Sequence, residues 1–369
     1  MPIPLLLHSV HAQSPIPYQA FGPWIVPWRI TSTDAEYQAL RTTVGLADMS
    51  IFSSVEVRGA DRVSFLHRLL TNDIKRLSIG AGCQAALLDA NGKLIATLIV
   101  LVDDDTVWLL CDAPRAQVLT QTLERYVFSE QIQLINHERQ FAAFALHGPR
   151  VMELLANACG AAVSLPGACA HVVRQLNGLS VWLVRFSVTG DPGALILVRV
   201  DEARAIWQLL QDTGRPHGLE LVGWDALTIA RIEAGVPLFG LDMDDTNLLP
   251  ETGLETVAVS DSKGCYVGQE IIARLATYGS VNKKLMGLRI DKPLIPHTGD
   301  PIHHQNHAVG WITSSCRSLA LNQPLALGYL KRGWYQPDTP VHIITAGQSL
   351  PATVTALPFI PATHRRSDS

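Results

Sequence analysis

The sequence predicts an α+β fold that ends in a small all-β domain. Patterns typical of hairpins alternate with patterns typical of helices from about residue 31 to about residue 280. Beyond Val281 the pattern changes to short apolar runs separated by proline, glycine and asparagine, which is typical of a small all-β domain. The chain has 369 residues, of which 47% are hydrophobic and 17% are charged, so it can bury a large core and form two or three domains.

The first half of the chain is predicted to contain several helices and an antiparallel meander. Residues 1–30 are rich in proline and are expected to form a tail. Apolar residues recur at helical spacing in Asp34–Leu46, and Asp61 is a good N-cap for the next helix. Two apolar runs flank Asn91-Gly92, which is a strong hairpin signal, and a third strand is expected at Thr106–Cys111.

The second half is predicted to contain a further hairpin, helices and the strands of a small all-β domain. Strands are expected at Val181–Phe186 and Ala194–Val200, and Asp201 is a good N-cap for the helix that follows. Another helix is expected at Trp224–Glu233. The strands expected in the small all-β domain are Leu285–Ile290, Val309–Thr313, Leu325–Tyr329 and Val341–Thr345, and residues 361–369 are expected to be a disordered tail.

The charge and cysteine patterns argue against several functional classes. The net charge is −4 and no block of like charges occurs, so nothing indicates a surface for nucleic acid or for an anionic membrane. The six cysteines form no C-x-x-C pair, which favours neither a zinc site nor a disulfide framework and fits the reducing cytoplasm. No apolar run approaches the roughly 20 residues that span a bilayer. A metal site at the histidines of 303–307 is not favoured, because no carboxylate pattern accompanies them.

The segment Lys263–Glu270 reads Lys-Gly-Cys-Tyr-Val-Gly-Gln-Glu and combines a lone thiol with flexible backbone and polar side chains. Gly264 frees the backbone before Cys265, and the apolar run that follows suits a helix, so the thiol should lie near a helix start. A helix N-terminus and the ammonium of Lys263 both favour a thiolate, which predicts a reactive Cys265. The alternative is a tight turn in which the cysteine fills a small apolar space.

This segment resembles the signature of the YgfZ family of folate-binding proteins, which serve iron–sulfur cluster assembly and are related to the T-protein (aminomethyltransferase) of the glycine cleavage system. Further segments are similar to T-protein, namely Arg41–Ser50, Phe65–Asp73, Arg231–Gly240 and Gly310–Ser314. The resemblance covers most of the chain from about Phe21. It implies two related α+β subdomains around a central folate channel within residues 31–280, with a boundary near residue 147, and a C-terminal β-barrel at residues 281–360.

The sequence departs from the T-protein pattern on one strand. T-protein carries Gly-Gly-Val-Ile-Asp-Asp-Leu there, including its catalytic carboxylate, whereas residues 92–98 of this chain read Gly-Lys-Leu-Ile-Ala-Thr-Leu. Ala96 and Thr97 replace both carboxylates, so the group expected to interact with the amine and the folate nitrogen is missing. Ser187–Gly190 also departs from the Gly-Tyr-Thr-Gly of T-protein, and T-proteins have no cysteine equivalent to Cys265.

The resemblance implies a site for tetrahydrofolate or a one-carbon-loaded folate. A pterin ring offers adjacent N–H donors that pair with a carboxylate, and flat faces that need aromatic or aliphatic walls. Glu233, near the end of an apolar helix, is the expected carboxylate, and the alternative is an ordinary helix end facing water. Phe52 and Trp224 are the expected aromatic contacts; strict alignment puts Leu227 at the second position, and core packing is the alternative for Trp224. The candidate cations for the glutamyl tail are Lys263, Arg274 and Lys283.

The leading hypothesis is a cytoplasmic folate-binding protein that uses Cys265 and Lys263 in the assembly or repair of iron–sulfur enzymes, such as radical-SAM tRNA-modifying enzymes. Its expected partners are the folate and iron–sulfur client or assembly proteins, without direct nucleic-acid or membrane contact. The alternatives are a folate-dependent aminomethyltransferase and a non-catalytic folate-binding scaffold. The missing carboxylates leave open whether the chain is an enzyme.

Overall fold

The structure is a computed structural model that describes residues 3–8 and 16–361. Its strands are β1 Ile3–Pro4, β2 Tyr18–Phe21, β3 Trp24–Pro27, β4 Val44–Asp48, β5 Phe52–Arg58, β6 Gly82–Leu88, β7 Leu94–Val102, β8 Thr106–Asp112, β9 Gln133–Asn136, β10 Phe141–His147, β11 His171–Leu176, β12 Leu179–Arg185, β13 Gly193–Arg199, β14 Leu219–Leu221, β15 Lys283–Ile290, β16 Pro301–His304, β17 His307–Ser318, β18 Gln323–Lys331, β19 Pro340–Thr345 and β20 Gln348–Thr355. The α-helices are α1 Thr33–Thr42, α2 Arg62–Leu69, α3 Ala116–Glu124, α4 Val151–Cys159, α5 Ala203–Gly214, α6 Trp224–Glu233, α7 Glu255–Ala258 and α8 Gln269–Tyr278. Among the described residues, no helix has the length and hydropathy that a bilayer crossing requires.

The first subdomain contains a five-stranded antiparallel sheet in the order β6-β7-β8-β5-β9. The predicted Asn91-Gly92 hairpin joins β6 to β7, and the φ of +76° at Gly92 is one that glycine adopts readily. The carboxylate of Asp89 accepts the backbone N–H groups of Asn91 and Lys93, each at 2.8 Å. Apolar residues of α2 and α3 cover one face of the sheet, so this subdomain has its own core.

The second subdomain contains a six-stranded sheet in the order β11-β12-β13-β10-β4-β14. Strand β4 precedes the whole first subdomain in the chain, yet it pairs antiparallel with β10 and parallel with β14. The chain therefore begins this sheet, forms the first subdomain, and then returns to complete the second. Helices α4 and α5 pack their apolar residues against this sheet. The predicted α+β fold with two subdomains is confirmed.

The expectation that residues 1–30 form a tail needs correction for the residues described here. Strands β1, β2 and β3 form a small sheet in the order β1-β3-β2, and Leu5, Trp24 and Val26 are buried in the main core. Proline does not prevent this, because Pro4 lies on an edge strand and Pro27 ends its strand. The disorder expected at residues 361–369 falls, apart from residue 361, outside the described residues.

The predicted barrel is present as a closed six-stranded barrel, β15-β18-β17-β16-β19-β20. A buried ion pair ties it to α6, since Arg231 Nη1 donates to Asp242 Oδ2 at 2.7 Å and their side chains are 2% and 0% exposed. The hydroxyls of Thr313 and Ser314 on β17 donate to Asp242 Oδ1, each at 2.6 Å. Removing one partner of a buried ion pair costs about 3–5 kcal/mol, so these contacts fix the barrel firmly against α6.

Candidate functional site

A cavity of about 500 Å³, the central cavity, lies where the two subdomains, the end of α6 and the barrel meet. Strands β5, β7 and β8 form one wall, the loop after β12 forms a second, and residues 252–257 with the start of β15 form a third. Concave sites between domains are where small ligands commonly bind. The polar and aromatic residues of its lining are Phe52, Gln84, Thr97, Asp112, Phe186, Ser187, Phe239, Thr252, Glu255, Thr256 and Lys284.

Phe52 and Phe186 form an aromatic corner of the central cavity. Their ring centroids are 6.0 Å apart and the ring planes are inclined at 85°. Phe52 begins β5 and Phe186 follows β12, so each subdomain supplies one ring. A flat ligand can stack on one ring and meet the edge of the other. Phe52 thus lies in the cavity wall, and its contact with a folate stays a prediction.

Asp112, the last residue of β8, places a carboxylate in the same wall. It is paired with Phe52 on β5. On the other side, β8 pairs with β7, and the printed register ends at Leu110 and Ile99. Phe52 and Thr97 of β7 also line the cavity. The carboxylate of Asp112 on β8 therefore lies one strand away from β7, the strand on which the T-protein pattern has its catalytic carboxylate.

The environment of Asp112 favours a carboxyl group that titrates near neutral pH. Burial raises the pKa of Asp112 to about 7, against the opposing effects of its own backbone N–H and of Arg115. The guanidinium of Arg115 is bonded elsewhere, since Nε donates to the carbonyl of Ile95 at 2.8 Å and Nη1 to Asp245 at 3.3 Å. A carboxyl group whose two protonation states coexist near pH 7 is suited to proton exchange with a ligand.

Lys284 supplies the positive charge in the described lining. Its Nζ lies 3.4 Å from Glu255 Oε1, and the two side chains are 36% and 29% exposed. The predicted cation Lys283 is directed instead at the rings of Trp311 and Tyr329, with Nζ 5.3 and 5.0 Å from their centroids. Lys284 is therefore the cation placed to meet an anionic ligand tail.

Glu233, the carboxylate expected to hold the pterin ring, is fully buried and does not line the central cavity. Tyr37 and Arg41 donate to its Oε2 at 2.6 and 2.5 Å, while the hydroxyl of Ser318 and the N–H of Ala320 are directed at Oε1. A carboxylate has about four acceptor positions, so a ligand would have to displace one of these donors. The role of Glu233 in folate binding stays a prediction.

Trp224 and Leu227, the other expected folate contacts, lie in the protein core. Each is 1% exposed, and neither lines the central cavity. The indole N–H of Trp224 donates to the carbonyl of Asp48 at 3.2 Å, and its ring packs 4.9 Å from that of Phe21. Helix α6 is buried on nearly all sides, which leaves these two side chains in core contacts, and their contact with a folate stays a prediction.

The ammonium group of Lys263 lies at the C-terminal end of helix α2. Its Nζ donates to the carbonyl oxygens of His67, Leu70 and Asn72, at the C-terminal end of α2. Burial lowers the pKa of Lys263 to about 8. A lysine in this position satisfies carbonyls that lack helical partners. In this structure the protons of the ammonium are directed at carbonyls, and its effect on the thiol of Cys265 stays a prediction.

Cys265 is exposed, whereas the other five cysteines are buried or partly buried. Helix α8 begins at Gln269 with Gly268 as its N-cap, so the thiol precedes the first helical turn and does not lie within it. Arg274, a predicted folate cation, pairs with Glu270 on the exposed surface of α8. Neither Cys265 nor Arg274 lines the central cavity, so the thiol and the cavity are separate regions.

Asp112, Phe186 and Lys284 are cavity residues that were not predicted from the sequence. Asp112 directly follows the strand predicted at Thr106–Cys111. A carboxylate at the end of an apolar strand is the sequence feature that could have indicated a cavity residue here. Its position beside Phe52, in a wall that also contains Thr97, depends on the pairing of β8 with two other strands, which local patterns do not encode.

The chain is similar to known proteins over nearly its whole length. The model of the GCVT N-terminal domain matches residues 7–262, and that of the glycine cleavage T-protein C-terminal barrel domain matches residues 283–360. The aminomethyltransferase of Synechococcus sp. (strain CC9311) is 28% identical, over 94% of this chain and 95% of that protein. The one from Symbiobacterium thermophilum is 29% identical, over 98% of each chain. The crystal structure of glycine cleavage system aminomethyltransferase T from Bartonella henselae has a TM-score of 0.87 and 25% identity, and 98% of each chain is covered.

Proposed function

The chain belongs to the glycine cleavage T-protein family, and on this premise we propose that it binds a tetrahydrofolate in the central cavity. Tetrahydrofolate is the folate that this family uses. The observation that carries the proposal is the carboxylate of Asp112, which lies in the cavity wall beside Phe52. The N–H donors of a pterin pair with a carboxylate, and its flat ring packs against Phe52 or Phe186.

The size and charge of the central cavity also support a folate. Its volume of about 500 Å³ lies within the range of small-molecule sites, roughly 300–1,000 Å³. We expect the pterin ring at Asp112 and the anionic glutamyl tail on the side of Lys284. Isothermal titration calorimetry with tetrahydrofolate tests this directly, and we expect one site per chain. No measurable binding by the folded protein would overturn the proposal.

The reaction that we propose is aminomethyl transfer, in which tetrahydrofolate receives a one-carbon unit from a lipoyl-bound aminomethyl group. Relatives of full length named aminomethyltransferase, at 28% and 29% identity, support it. The replacement of the T-protein carboxylates by Ala96 and Thr97 argued against this activity. Asp112 weakens that objection, because it provides a carboxyl group in the same cavity wall.

The transfer reaction is tested with purified protein, tetrahydrofolate and an aminomethylated lipoyl carrier protein. We expect methylenetetrahydrofolate to form at a rate proportional to the protein concentration. The variant Cys265→Ala is the matched control, and it should retain the full rate because the thiol lies outside the cavity. A protein that binds tetrahydrofolate without forming methylenetetrahydrofolate would contradict the transferase proposal and leave the binding proposal standing.

A second function, in the assembly or repair of iron–sulfur enzymes, is favoured by Cys265. The segment Lys263–Glu270 resembles the YgfZ signature, and the exposed thiol is accessible to a partner protein. Complementation of a deletion strain under oxidative stress is the test, read out as the activity of a radical-SAM tRNA-modifying enzyme. We expect Cys265→Ala to fail and Cys159→Ala, which alters a partly buried thiol, to succeed. Equal complementation by both variants would remove the thiol function and favour a folate-binding scaffold.

A further inference from the structure

A serine hydroxyl in the wall of the central cavity is held from behind by a buried histidine. We propose, on the basis of the proposed function, that Ser187 determines ligand specificity by donating its hydroxyl proton in a hydrogen bond to the 4-oxo oxygen of the pterin ring. Ser187 stands where the T-protein pattern has a glycine, so this hydroxyl is a feature of the present chain and not of that pattern. His147 is the residue that positions it.

His147 is the last residue of β10, and its imidazole lies behind the cavity wall. It is 0% exposed, and its partners on the two neighbouring strands are the glycines Gly45 and Gly193. A β-carbon at position 193 would lie 2.6 Å from Nδ1 of the imidazole, so a larger residue there would collide with the ring. The same Nδ1 lies 3.4 Å from Oγ of Ser187. Gly193 therefore leaves the room that the imidazole needs to reach the serine.

The imidazole of His147 is neutral and carries a single N–H group. Burial, assisted by the charge of Arg41, lowers the pKa of His147 to about 3. Among the described residues, Nε2 has no hydrogen-bond partner. Buried N–H groups without an acceptor are rarer in proteins than buried acceptors without a donor, which favours the tautomer with the proton on Nδ1. In this tautomer Nδ1 donates to Oγ of Ser187.

The hydroxyl oxygen of Ser187 already accepts two hydrogen bonds. One comes from Nδ1 of His147, and the backbone N–H of Thr189 donates the other at 3.2 Å. A hydroxyl group has two acceptor positions and one proton, so the proton is what remains for a further partner. The contact with Oγ1 of Thr189 is 3.3 Å long, whereas O–H···O bonds are typically about 2.7–2.8 Å. A ligand oxygen in the cavity can therefore take this proton at a better distance.

A pterin ring at the aromatic corner has a matching acceptor. Asp112 is paired with Phe52 in the sheet, and Ser187 directly follows Phe186. The carboxylate and the hydroxyl therefore flank the two rings of the corner. In a pterin the 4-oxo oxygen is adjacent to the ring N–H that pairs with a carboxylate. A carbonyl oxygen that leaves water without a donor costs affinity, so a donor at this place selects ligands that carry the oxygen.

The test compares tetrahydrofolate with tetrahydroaminopterin, in which an amino group replaces the 4-oxo oxygen, by isothermal titration calorimetry. We expect Ser187→Ala to bind tetrahydrofolate about tenfold more weakly and the 4-amino ligand with unchanged affinity. Ser187→Cys preserves the shape of the side chain but is a weak donor, so it should show the same loss and guards against a folding defect of the first variant. Ser180→Ala removes an exposed hydroxyl on β12 and should keep both wild-type affinities.

The positioning role of His147 has its own measurement. In His147→Leu the oxygen of Ser187 regains an acceptor position, which can accept from the amino group of tetrahydroaminopterin. We expect this variant to bind tetrahydroaminopterin more tightly and tetrahydrofolate more weakly than wild type. His147→Gln supplies an amide N–H in place of the imidazole N–H and should restore the preference for tetrahydrofolate. A purely structural role of His147 would lower both affinities together.

Three results would overturn parts of this assignment. Equal weakening of both ligands by Ser187→Ala, or an unchanged ratio of their affinities, would remove the hydroxyl as the donor to the 4-oxo oxygen. Equal weakening of both ligands by His147→Leu would remove the positioning role and leave Ser187 as the donor. Absence of any tetrahydrofolate binding by the wild-type protein would instead refute the proposed function, so the failures are distinguishable.

Discussion

The central cavity and the segment Lys263–Glu270 are the two regions with candidate reactive groups, and their surroundings are opposite. Asp112 lies in a wall shared with residues of both subdomains, where burial raises its pKa to about 7. Cys265 is exposed, on a segment that Lys263 fastens to the end of α2. The cavity is suited to a small ligand shielded from water, whereas the segment is suited to contact with another macromolecule.

This contrast explains why the sequence marks the two regions so differently. The exposed segment is contiguous, so its residues form a motif that is visible in the chain. The cavity is assembled from strands and loops that span residues 52–358, and its lining residues come from many short segments that are far apart in the sequence. A distinctive motif is therefore a poor guide to the ligand cavity of this fold, and the two regions must be tested separately.

The largest expected effect is that of replacing Glu233, a buried residue outside the lining of the central cavity. We expect Glu233→Gln to lower the free energy of unfolding by about 3 kcal/mol, because the buried ion pair with Arg41 loses one charge. The affinity for tetrahydrofolate should stay within about twofold of wild type, since Glu233 does not line the cavity. Urea denaturation and calorimetry measure the two quantities, with the exposed Glu220→Gln as control. A loss of about 1–3 kcal/mol in affinity would instead place Glu233 in the site.

The next largest effect is that of removing an aromatic ring from the wall of the central cavity, a change that leaves the segment Lys263–Glu270 unaltered. We expect Phe52→Ala to weaken tetrahydrofolate binding by about 2 kcal/mol, roughly 30-fold, because one wall of the aromatic corner is removed. The rate of Cys265 alkylation should not change. Phe128→Ala removes a ring that is 86% exposed and serves as the matched control. Equal affinities for the two variants would show that the ligand does not contact the aromatic corner.

A smaller effect, that of removing the half-buried carboxyl group of Asp112, depends on pH. The folded-state pKa of Asp112 is raised from 3.8 to about 7, so its contribution to stability is full below pH 3.8 and is lost as the pH rises through 7. We therefore expect Asp112→Asn to be more stable than wild type at pH 8, by about 1–2 kcal/mol, with the difference shrinking toward pH 4. Urea denaturation at both values measures this. A difference that does not vary with pH would contradict the raised pKa of Asp112.

The smallest effect concerns the exposed segment. We expect Lys263→Met to lose about 1 kcal/mol of stability at pH 7, because carbonyls at the end of α2 lose their donor. The pKa of Lys263 is lowered from 10.5 to about 8, so wild-type stability should rise between those values, and the variant should lack this rise. The exposed Lys93→Met is the control. If Cys265 alkylation slowed sharply in Lys263→Met, Lys263 would act on the thiol after all.

Much of the fold could be predicted because its signals are local. The Asn91-Gly92 hairpin, the helix after Asp61 and the barrel strands all followed from short-range spacing. Even there, side-chain roles differed: Asp61 precedes α2, but its carboxylate accepts the N–H of Gln131 at 2.8 Å and does not cap the helix. Asp201, expected as the cap of α5, pairs with Arg199 instead, at 3.2 Å. Such choices depend on neighbours distant in sequence.

The site was less predictable because it depends on long-range geometry. Phe52 could be placed in the cavity wall from the family resemblance, whereas Asp112 required the pairing of β8 with β5 and β7. Glu233 and Trp224 lie on the expected helix, but α6 is buried on almost every side, so its sequence does not show which face meets a ligand. Patterns that specify an element do not specify the direction in which a fully buried element presents its side chains.

The position of β4 has a consequence for the order in which the chain folds. Asp48 on β4 pairs with Phe144, and Val44 pairs with Leu219, so the second sheet must wait for contacts across roughly 100 and 175 residues. The first sheet contains residues 52–136 alone and can form while the rest of the chain is still being synthesised. We expect pulse-labelled amide exchange to show β5–β9 protected before β4. On a ribosome, the earliest strand of the second sheet would then remain unpaired until β10 has been made.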